Sequence, residues 1–173
     1  MSKIRLAQNG MVLCPQCGVE KDLSFFAISR SSKNPLKRAY LCKECNAIKT
    51  HKYRNTETGF WVGLWNNLIG NAKARKLEVN ITKQDVTDLY KKQNGLCALT
   101  GIPMQLVQAK RETRSRTLNH YRVSVDRVDS EQGYIKENIR LVCAYVNIMR
   151  SDMTDDQLRF WCNAILKGQK NGD

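Results

Sequence analysis

The sequence predicts an α+β protein with a small cysteine-bearing ribbon, then helices, then a strand–strand–helix core. Two C-x-x-C pairs in the first 46 residues indicate the ribbon. Apolar residues at helical spacing after Phe60 indicate the helices, and alternating apolar residues over 121–128 indicate the first core strand. We therefore expect three domains, at 1–56, 57–93 and 94–173.

The size and hydropathy of the chain argue against a membrane-spanning or secreted protein. It has 173 residues, enough for one medium or two small domains, and 42% of them are apolar. It contains no run of 18 apolar residues, so we expect no membrane span, and the first residues lack the apolar core of a secretory signal. We expect a cytoplasmic protein whose cysteines bind metal rather than form disulfides.

The charge of the chain indicates a polyanionic partner. Lys and Arg number 29 against 16 acidic residues, so the formal net charge is +13. Such a surplus attracts polyanions and releases their counterions on binding, which makes DNA the expected partner. Charge alone leaves open a basic protein with no such partner.

Four cysteines predict a zinc site. Cys14 and Cys17 form one C-x-x-C knuckle, and Cys42 and Cys45 form another after 24 intervening residues. Two such turns supply a tetrahedral S₄ shell, with Zn–S bonds of about 2.3 Å. Because protein fills all four positions, we expect one structural zinc with no place for a reactive water. The alternative is four cysteines without metal.

Two helices are predicted between the ribbon and the core. The apolar pattern that begins at Phe60 runs to the basic segment 73–76. Thr82 and Asp85 make a capping-box pattern, which starts a second helix that stops near Asn94. We expect this second helix to turn Val86, Leu89 and Tyr90 inward.

The remaining elements follow from residue 121 onward. A strand over 121–128 is followed by a turn at Gly133, a second strand over 139–145 and a short helix over 146–150. Thr154 and Gln157 predict the start of a final helix, which we expect to end at Gly168.

The motifs of the core resemble those of the HNH (ββα-metal) endonuclease family. They read NGLCALTGIPM from Asn94, SVDRVDS from Ser124, GYIKENIRLVC from Gly133 and VNIMR from Val146. The N-terminal knuckles are similar to those of phage-encoded members. The resemblance implies a zinc ribbon followed by helices and a ββα-metal core, and a metal-dependent DNA endonuclease. For a phage-encoded protein, the compartment would be the bacterial host cytoplasm.

The resemblance implies roles for three core residues. Asp126 matches the metal-binding Asp at the end of the first strand, and Asn147 matches the second metal ligand on the helix. Their hard oxygens suit a catalytic Mg²⁺ or Mn²⁺. Asn138 matches the Asn that holds the connecting loop by hydrogen bonds.

Arg127 departs from the family pattern, in which a histidine at this position activates water. Arginine stays protonated and is a poor general base. Asp129 or His120 could replace it, although an extended strand would put His120 roughly 20 Å from Asp126 unless the chain folds back. Alternatively, metal-bound hydroxide attacks unaided while Arg127 contacts the phosphate, which we favour, or the site is catalytically dead. A surface salt bridge is the simpler role for Arg127.

A second zinc site of many relatives is half lost in this chain. The matching positions hold Cys97 and Thr100, then Cys143 and Val146. Two thiols cannot complete an S₄ shell, so we expect Cys97 and Cys143 to pack as small apolar residues without metal.

Three functions are compatible with these patterns: a DNA endonuclease, a non-catalytic DNA-binding protein that reuses the fold, and a zinc-ribbon adaptor between proteins. For each arginine that could contact the DNA backbone, a solvated surface role is an equal alternative. The candidates are Arg114, Arg116, Arg122, Arg140 and Arg150.

Overall fold

The computed structural model describes residues 10–29, 36–107 and 119–169. The chain divides into two compact units, Met1–Tyr53 and Arg54–Asp173. Residues 57–93, which the sequence assigns to a separate helical domain, lie within the second unit. Among the described helices, none is long and apolar enough to cross a membrane.

The first unit is built from two small hairpins and a helix. β1 (Val12–Leu13) pairs antiparallel with β2 (Glu20–Lys21), and β3 (Phe26–Ile28) pairs antiparallel with β4 (Arg38–Cys42). Helix α1 (Lys43–Arg54) follows β4 directly. The buried cluster in the described part of this unit is small, and most of its members are cysteines: Val12, Cys14, Phe26, Cys42 and Cys45.

Two capped helices open the second unit. In α2 (Glu57–Arg75), Thr56 accepts a hydrogen bond from the Gly59 amide and satisfies one free N–H of the first turn. In α3 (Lys83–Lys92), both bonds of the predicted capping box are present between Thr82 and Asp85. The local sequence therefore determines where these helices begin.

A hairpin and two helices complete the second unit. β5 (Val123–Arg127) pairs antiparallel with β6 (Ile139–Cys143), followed by α4 (Ala144–Arg150) and α5 (Asp155–Gln169). The register places Asp126 opposite Arg140. The predicted second strand was two residues too long, because α4 begins at Ala144. The predicted last helix was one residue too short, because α5 continues past Gly168.

The core of the second unit lies between α2, α3 and the β5–β6 hairpin. Val86 of α3 is buried in it, and Leu89 and Tyr90 are partly buried against it, as the sequence predicts. The other face of the hairpin meets α4, whose Asn147 and Arg150 side chains contact β5. The hairpin is thus covered on both faces. The buried members are Phe60, Trp61, Leu68, Ala72, Ile81, Val86, Cys97, Met104, Val123, Tyr134, Ile139, Leu141, Val142 and Cys143.

The β5–β6 loop is fastened to the segment between α2 and α3. The Tyr134 amide donates to Glu78 O at 2.8 Å, and the Asn80 amide donates to Tyr134 O at 2.9 Å. A Cβ at Gly133 would lie 2.5 Å from Glu78 O. Only glycine lets the two backbones approach this closely.

Candidate functional site

The four N-terminal cysteines converge on one point. The Sγ atoms of Cys14, Cys17, Cys42 and Cys45 all lie within 4.8 Å of one another. The first pair lies on the turn between β1 and β2, and the second lies at the end of β4 and in the first turn of α1. Cys17 is exposed and the other three are buried. The cluster is consistent with one structural zinc.

The thiols of this cluster differ in how readily they ionise. Burial opposes ionisation of Cys14, but hydrogen bonds from the backbone of Cys42, Cys17 and Gln16 outweigh it and lower its pKa to about 6. Burial and hydrogen bonds with the neighbouring thiols raise the pKa of Cys45 to about 12. Four thiolates cannot share this space without a compensating positive charge, and a zinc ion would supply it.

A second knuckle in the other unit has the same backbone turn. In the first knuckle the Gly18 amide donates to Cys14 O at 2.9 Å, and Gly18 has φ +68°. In the second knuckle the Gly101 amide donates to Cys97 O at 2.9 Å, and Gly101 has φ +69°. In each knuckle the amide of the first cysteine also donates to the carbonyl of the residue after the glycine. Cys14 N donates to Val19 O at 3.0 Å, and Cys97 N donates to Ile102 O at 2.9 Å.

The strand–helix half of the second knuckle is matched as well. The Cys143 amide donates to Cys97 Sγ at 3.3 Å, just as the Cys42 amide donates to Cys14 Sγ at 3.4 Å. Cys143 ends β6 before α4, as Cys42 ends β4 before α1. The remaining two ligand positions hold Thr100 and Val146, and Cys97 and Cys143 are buried in the apolar core.

Asp126 lies at the centre of a buried ionic cluster. Its side chain is 3% exposed, and its two carboxylate oxygens accept hydrogen bonds from different arginines. Arg140 Nε donates to Oδ2 at 2.8 Å, and Arg150 Nη1 donates to Oδ1 at 2.8 Å. The Arg150 side chain is 2% exposed and also donates to Val128 O at 2.5 Å. Arg140 and Arg150, which the sequence analysis gives as candidates for DNA contact, thus bind groups inside the protein.

Asp155 completes this cluster from the first turn of α5. Arg140 donates to its two oxygens at 2.6 Å and 2.5 Å, and Arg150 Nε lies 3.4 Å from Oδ1. The hydrogen bond with Arg140 holds the pKa of Asp155 below its usual value, and the same contact raises the pKa of Arg140. Two aspartates and two arginines make the cluster electrically neutral, and we call it the clasp.

Asn147 lies beside the strand that carries Asp126. Its Nδ2 donates to Ser124 Oγ at 2.8 Å and to Val125 O at 3.3 Å. These bonds fix the amide, and its Oδ1 is the atom that a cation would take. The structure therefore brings the end of β5 and the first turns of α4 together.

Asn138 holds the loop between the two strands. Its Oδ1 accepts from the Asp129 amide at 2.8 Å, and its Nδ2 donates to Asp129 O and Gly133 O at 3.0 Å. The residue is 6% exposed. With this side chain in place, the polar backbone of the loop is satisfied inside the protein.

Arg127 is bound to the same loop. Its Nη1 donates to Ser130 O and to Gln132 O, both at 2.6 Å. Its guanidinium lies 5.5 Å from the centre of the Tyr134 ring, within cation–π range. As placed, Arg127 organises the loop.

The carboxylate of Asp129, one of the alternative bases, is also committed within this loop. It accepts from the Glu131 amide at 2.9 Å and from Gln132 Nε2 at 2.8 Å. Hydrogen bonding to Glu131 and Gln132 lowers the pKa of Asp129. A carboxylate with a lowered pKa is a weaker base, which disfavours it for water activation.

His120 and Arg122 lie just before β5. The His120 ring stacks on Tyr145 of α4, with centroids 4.1 Å apart and planes 10° from parallel. Tyr145 lies in the first turn of α4, beside the Val123 end of β5, so this contact does not place His120 at Asp126. Burial lowers the pKa of Arg122. Arg114 and Arg116 lie outside the described residues.

As placed, the Asp126 carboxylate is paired with arginines rather than open to a divalent cation. Both carboxylate oxygens already bind guanidinium groups, and the clasp has no net negative charge to attract a metal. A ligand carboxylate for Mg²⁺ would instead need an accessible face toward water and substrate. Among the described residues, the group of three or more His, Cys, Asp or Glu side chains arranged for a metal is the four-cysteine cluster.

Asp155 is the residue that the sequence did not single out. The Thr154–Gln157 pattern predicted the helix start, and it thereby placed Asp155 in a first helical turn. That signal explains an acidic residue near the helix dipole but does not indicate a partner 15 residues earlier in the chain.

No family model matches the chain, and no curated protein matches it. Among solved structures, the chain is similar to the rare-cutting HNH restriction endonuclease PacI, described as exhibiting an extraordinary mechanism of DNA perturbation. The sequence identity is 24% and the TM-score is 0.45, with 90% of this chain and 93% of that chain covered. A likeness this loose leaves the function to be inferred from the residues of this chain.

Proposed function

We propose that the chain acts on DNA as an endonuclease with a ββα core. The observation that carries the proposal is the β5–β6–α4 arrangement, in which α4 holds Asn147 against β5 beside Asp126. The charge of +13 supplies the attraction to DNA. The similarity to phage-encoded nucleases and a cytoplasmic location stay predictions.

The clasp favours a second candidate, a DNA-binding protein that does not cleave. Both oxygens of Asp126 are bound by arginines, and the Arg127 guanidinium is bound to loop carbonyls. Neither the Asp126 carboxylate nor the Arg127 guanidinium is therefore arranged for hydrolysis of a phosphodiester. A catalytic Mg²⁺ or Mn²⁺ at Asp126 and Asn147 stays a prediction, and we derive no reaction step through it.

Cleavage of supercoiled plasmid separates the two candidates. The endonuclease proposal predicts nicked or linear product with Mg²⁺ or Mn²⁺ and little product with EDTA. Asn147→Ala should lower the rate at least about 100-fold, in the range expected for loss of a group that acts on the transition state. This variant leaves the residues of the clasp in place, and a melting curve checks that loss of the hydrogen bonds to Ser124 and Val125 has not unfolded the core.

Two further variants complete the design. Asp126→Ala leaves two buried arginines with one carboxylate, and we expect it to cost about 3–5 kcal/mol of unfolding free energy. Its activity is interpretable only beside a melting curve. Asp156→Ala removes an exposed carboxylate on α5 and should retain full activity and stability.

Binding to DNA is measured on the same samples. For six to ten phosphate contacts, affinity should fall about 10³–10⁵-fold between about 50 and 200 mM salt. Binding without nicking under either metal would exclude the endonuclease and support the second candidate. If the chain neither nicks nor binds DNA, both candidates fail and the zinc-ribbon adaptor is left.

A further inference from the structure

Arg122 carries a buried hydrogen-bond donor that no group of the described chain binds. The residue lies directly before β5, and its Nε atom is buried without a partner in residues 10–29, 36–107 and 119–169. Burial lowers the pKa of its guanidinium, and no acidic side chain in those ranges offsets that effect. By contrast, Arg140 and Arg150 are paired with Asp126. A cation left in this state is unfavourable for folding, and it indicates a partner that binds from outside the chain.

The backbone of Arg122 is fixed by its neighbours. Its amide donates to Asn119 O at 3.1 Å, and its carbonyl accepts from the Ala144 amide at 2.8 Å. On the other edge, the Val123 amide donates to Gln105 O at 3.2 Å. The side chain therefore starts from a backbone that is already ordered, which lowers the entropy cost of binding a ligand there.

Strand alternation directs Arg122 toward α4. Val123 is fully buried in the core, so its neighbours Arg122 and Ser124 point to the opposite face of the strand. Asn147 of α4 donates to Ser124 Oγ at 2.8 Å, which identifies that face as the one that meets α4. At about 3.3 Å per residue, Arg122 and Ser124 are roughly 7 Å apart along the strand.

Ser124 adds a second donor beside Arg122. Its Oγ accepts a hydrogen bond from Asn147, and the hydroxyl keeps its own proton to donate. Within the described ranges, no acceptor takes that proton. The carboxylate on this face belongs to Asp126, and both of its oxygens are bound in the clasp. The face therefore offers a guanidinium and a hydroxyl to an acceptor that the described chain does not supply.

We propose that Arg122, with Ser124 beside it, binds a phosphate group of a DNA backbone at the Val123 end of β5. A phosphate presents several acceptor oxygens and a negative charge, and a guanidinium can bind two of those oxygens at once. Arg122 is only partly buried, so its guanidinium is reachable from solvent. The net charge of +13 favours a polyanion over a free phosphate ion. This inference rests on the proposed action on DNA and adds where the backbone is held.

The stability of the zinc-loaded full chain without DNA is the first test. Arg122→Met replaces a poorly solvated cation with an apolar side chain, so its melting temperature should equal or exceed that of the wild type. Arg140→Met is the contrast, because it opens the clasp and should lower the melting temperature. An Arg122→Met protein that melts as early as Arg140→Met, or fails to fold, would show that Arg122 is structural and would overturn the proposal.

DNA affinity is the second test, measured by fluorescence anisotropy of a labelled duplex without added Mg²⁺ or Mn²⁺. The slope of log affinity against log salt concentration should fall by about 0.9 in Arg122→Met, the value for one lost phosphate contact. At about 100 mM salt, the affinity should drop at least about 10-fold, as expected for a hydrogen bond to a charged group. Arg159→Met is the matched control, because it removes the same charge from an exposed site on α5, and it should change both quantities much less.

Arg122→Lys separates charge from geometry. Lysine keeps the positive charge but lacks the planar fork, so the salt slope should stay near the wild-type value while the affinity falls part of the way. If the wild type binds DNA and Arg122→Met binds like Arg159→Met, the phosphate site is wrong and the proposed function stands. If the wild type itself does not bind DNA, the proposed function and this site fail together. Inorganic phosphate that raises the melting temperature only with Arg122 present, with DNA affinity unchanged in Arg122→Met, would assign the site to the free ion and overturn the proposal.

Discussion

The two knuckles have one backbone turn and two different chemistries. Around Cys14 the turn and the following strand–helix junction supply four thiols, and around Cys97 they supply two. The glycine dihedrals, the turn hydrogen bonds and the amide-to-sulfur bonds agree closely between them. The backbone turn therefore does not require a metal. The first unit has all four thiol ligands on this turn and its strand–helix junction, whereas the second unit has two.

The difference in apolar burial around the two knuckles explains why the first has four cysteine ligands and the second has two. In the described part of the first unit, the buried cluster consists of three cysteines with Val12 and Phe26. The second knuckle lies against an extensive core, and Gln93 fastens it to β6 through Leu141 N and Leu141 O, both at 2.9 Å. A small unit cannot bury enough apolar area to fold alone, whereas the larger one does not need a metal.

Among the experiments that test this contrast between the two units, removal of zinc should have the largest effect. A chelator, or Cys42→Ser, should unfold the first unit and leave the second folded, because metal binding supplies most of the folding free energy of a small Cys₄ site. Amide hydrogen exchange, resolved by segment, measures this. Zinc analysis should give about one ion per chain, and equal loss of protection in both units would contradict the contrast.

Restoration of the missing ligands should have the next largest effect. Thr100→Cys with Val146→Cys places four thiols on the second knuckle, so zinc content should rise from about one to about two ions per chain. Either substitution alone supplies only three thiols and should bind the second zinc much more weakly. If the double variant still holds a single zinc, the two turns are less alike than their hydrogen bonds indicate.

A serine at Cys143, the cysteine that matches Cys42, should have a smaller effect than either of these changes. Cys143→Ser puts a hydroxyl in the apolar core, at a cost of about 1–3 kcal/mol of unfolding free energy. Unlike Cys42→Ser, it should leave zinc content unchanged. Urea denaturation measures the cost, with Cys162→Ser, at a partly exposed position of α5, as the control. A cost above that range would point to a role beyond packing.

The smallest effect is expected at the turn glycines. Gly18→Ala and Gly101→Ala each place a side chain in the left-handed region, at a cost of about 1 kcal/mol. Apart from the neighbouring residues in the chain, no atom of the described residues lies within 4 Å of either new Cβ, so we expect backbone strain to be the main cost. Thermal melts of the zinc-loaded protein should give similar losses, and a much larger loss at one glycine would show that the turns differ.

Local patterns determined most of the secondary structure. The capping residues Thr82 and Asp85 defined the start of α3, and the apolar period after Phe60 predicted α2. The C-x-x-C spacing predicted the four-cysteine cluster. These signals act over a few residues, or through the geometry of a single turn, and they are therefore readable without knowledge of what packs nearby.

Only the tertiary structure decided how the charged residues are used. Arg140 and Arg150 were candidates for DNA contact, but the register of β5 with β6 and the packing of α4 direct them to Asp126. Asp155 reaches the same place from another helix. Sequence lists charges without saying which of them face each other, because that depends on contacts between segments 14 to 24 residues apart.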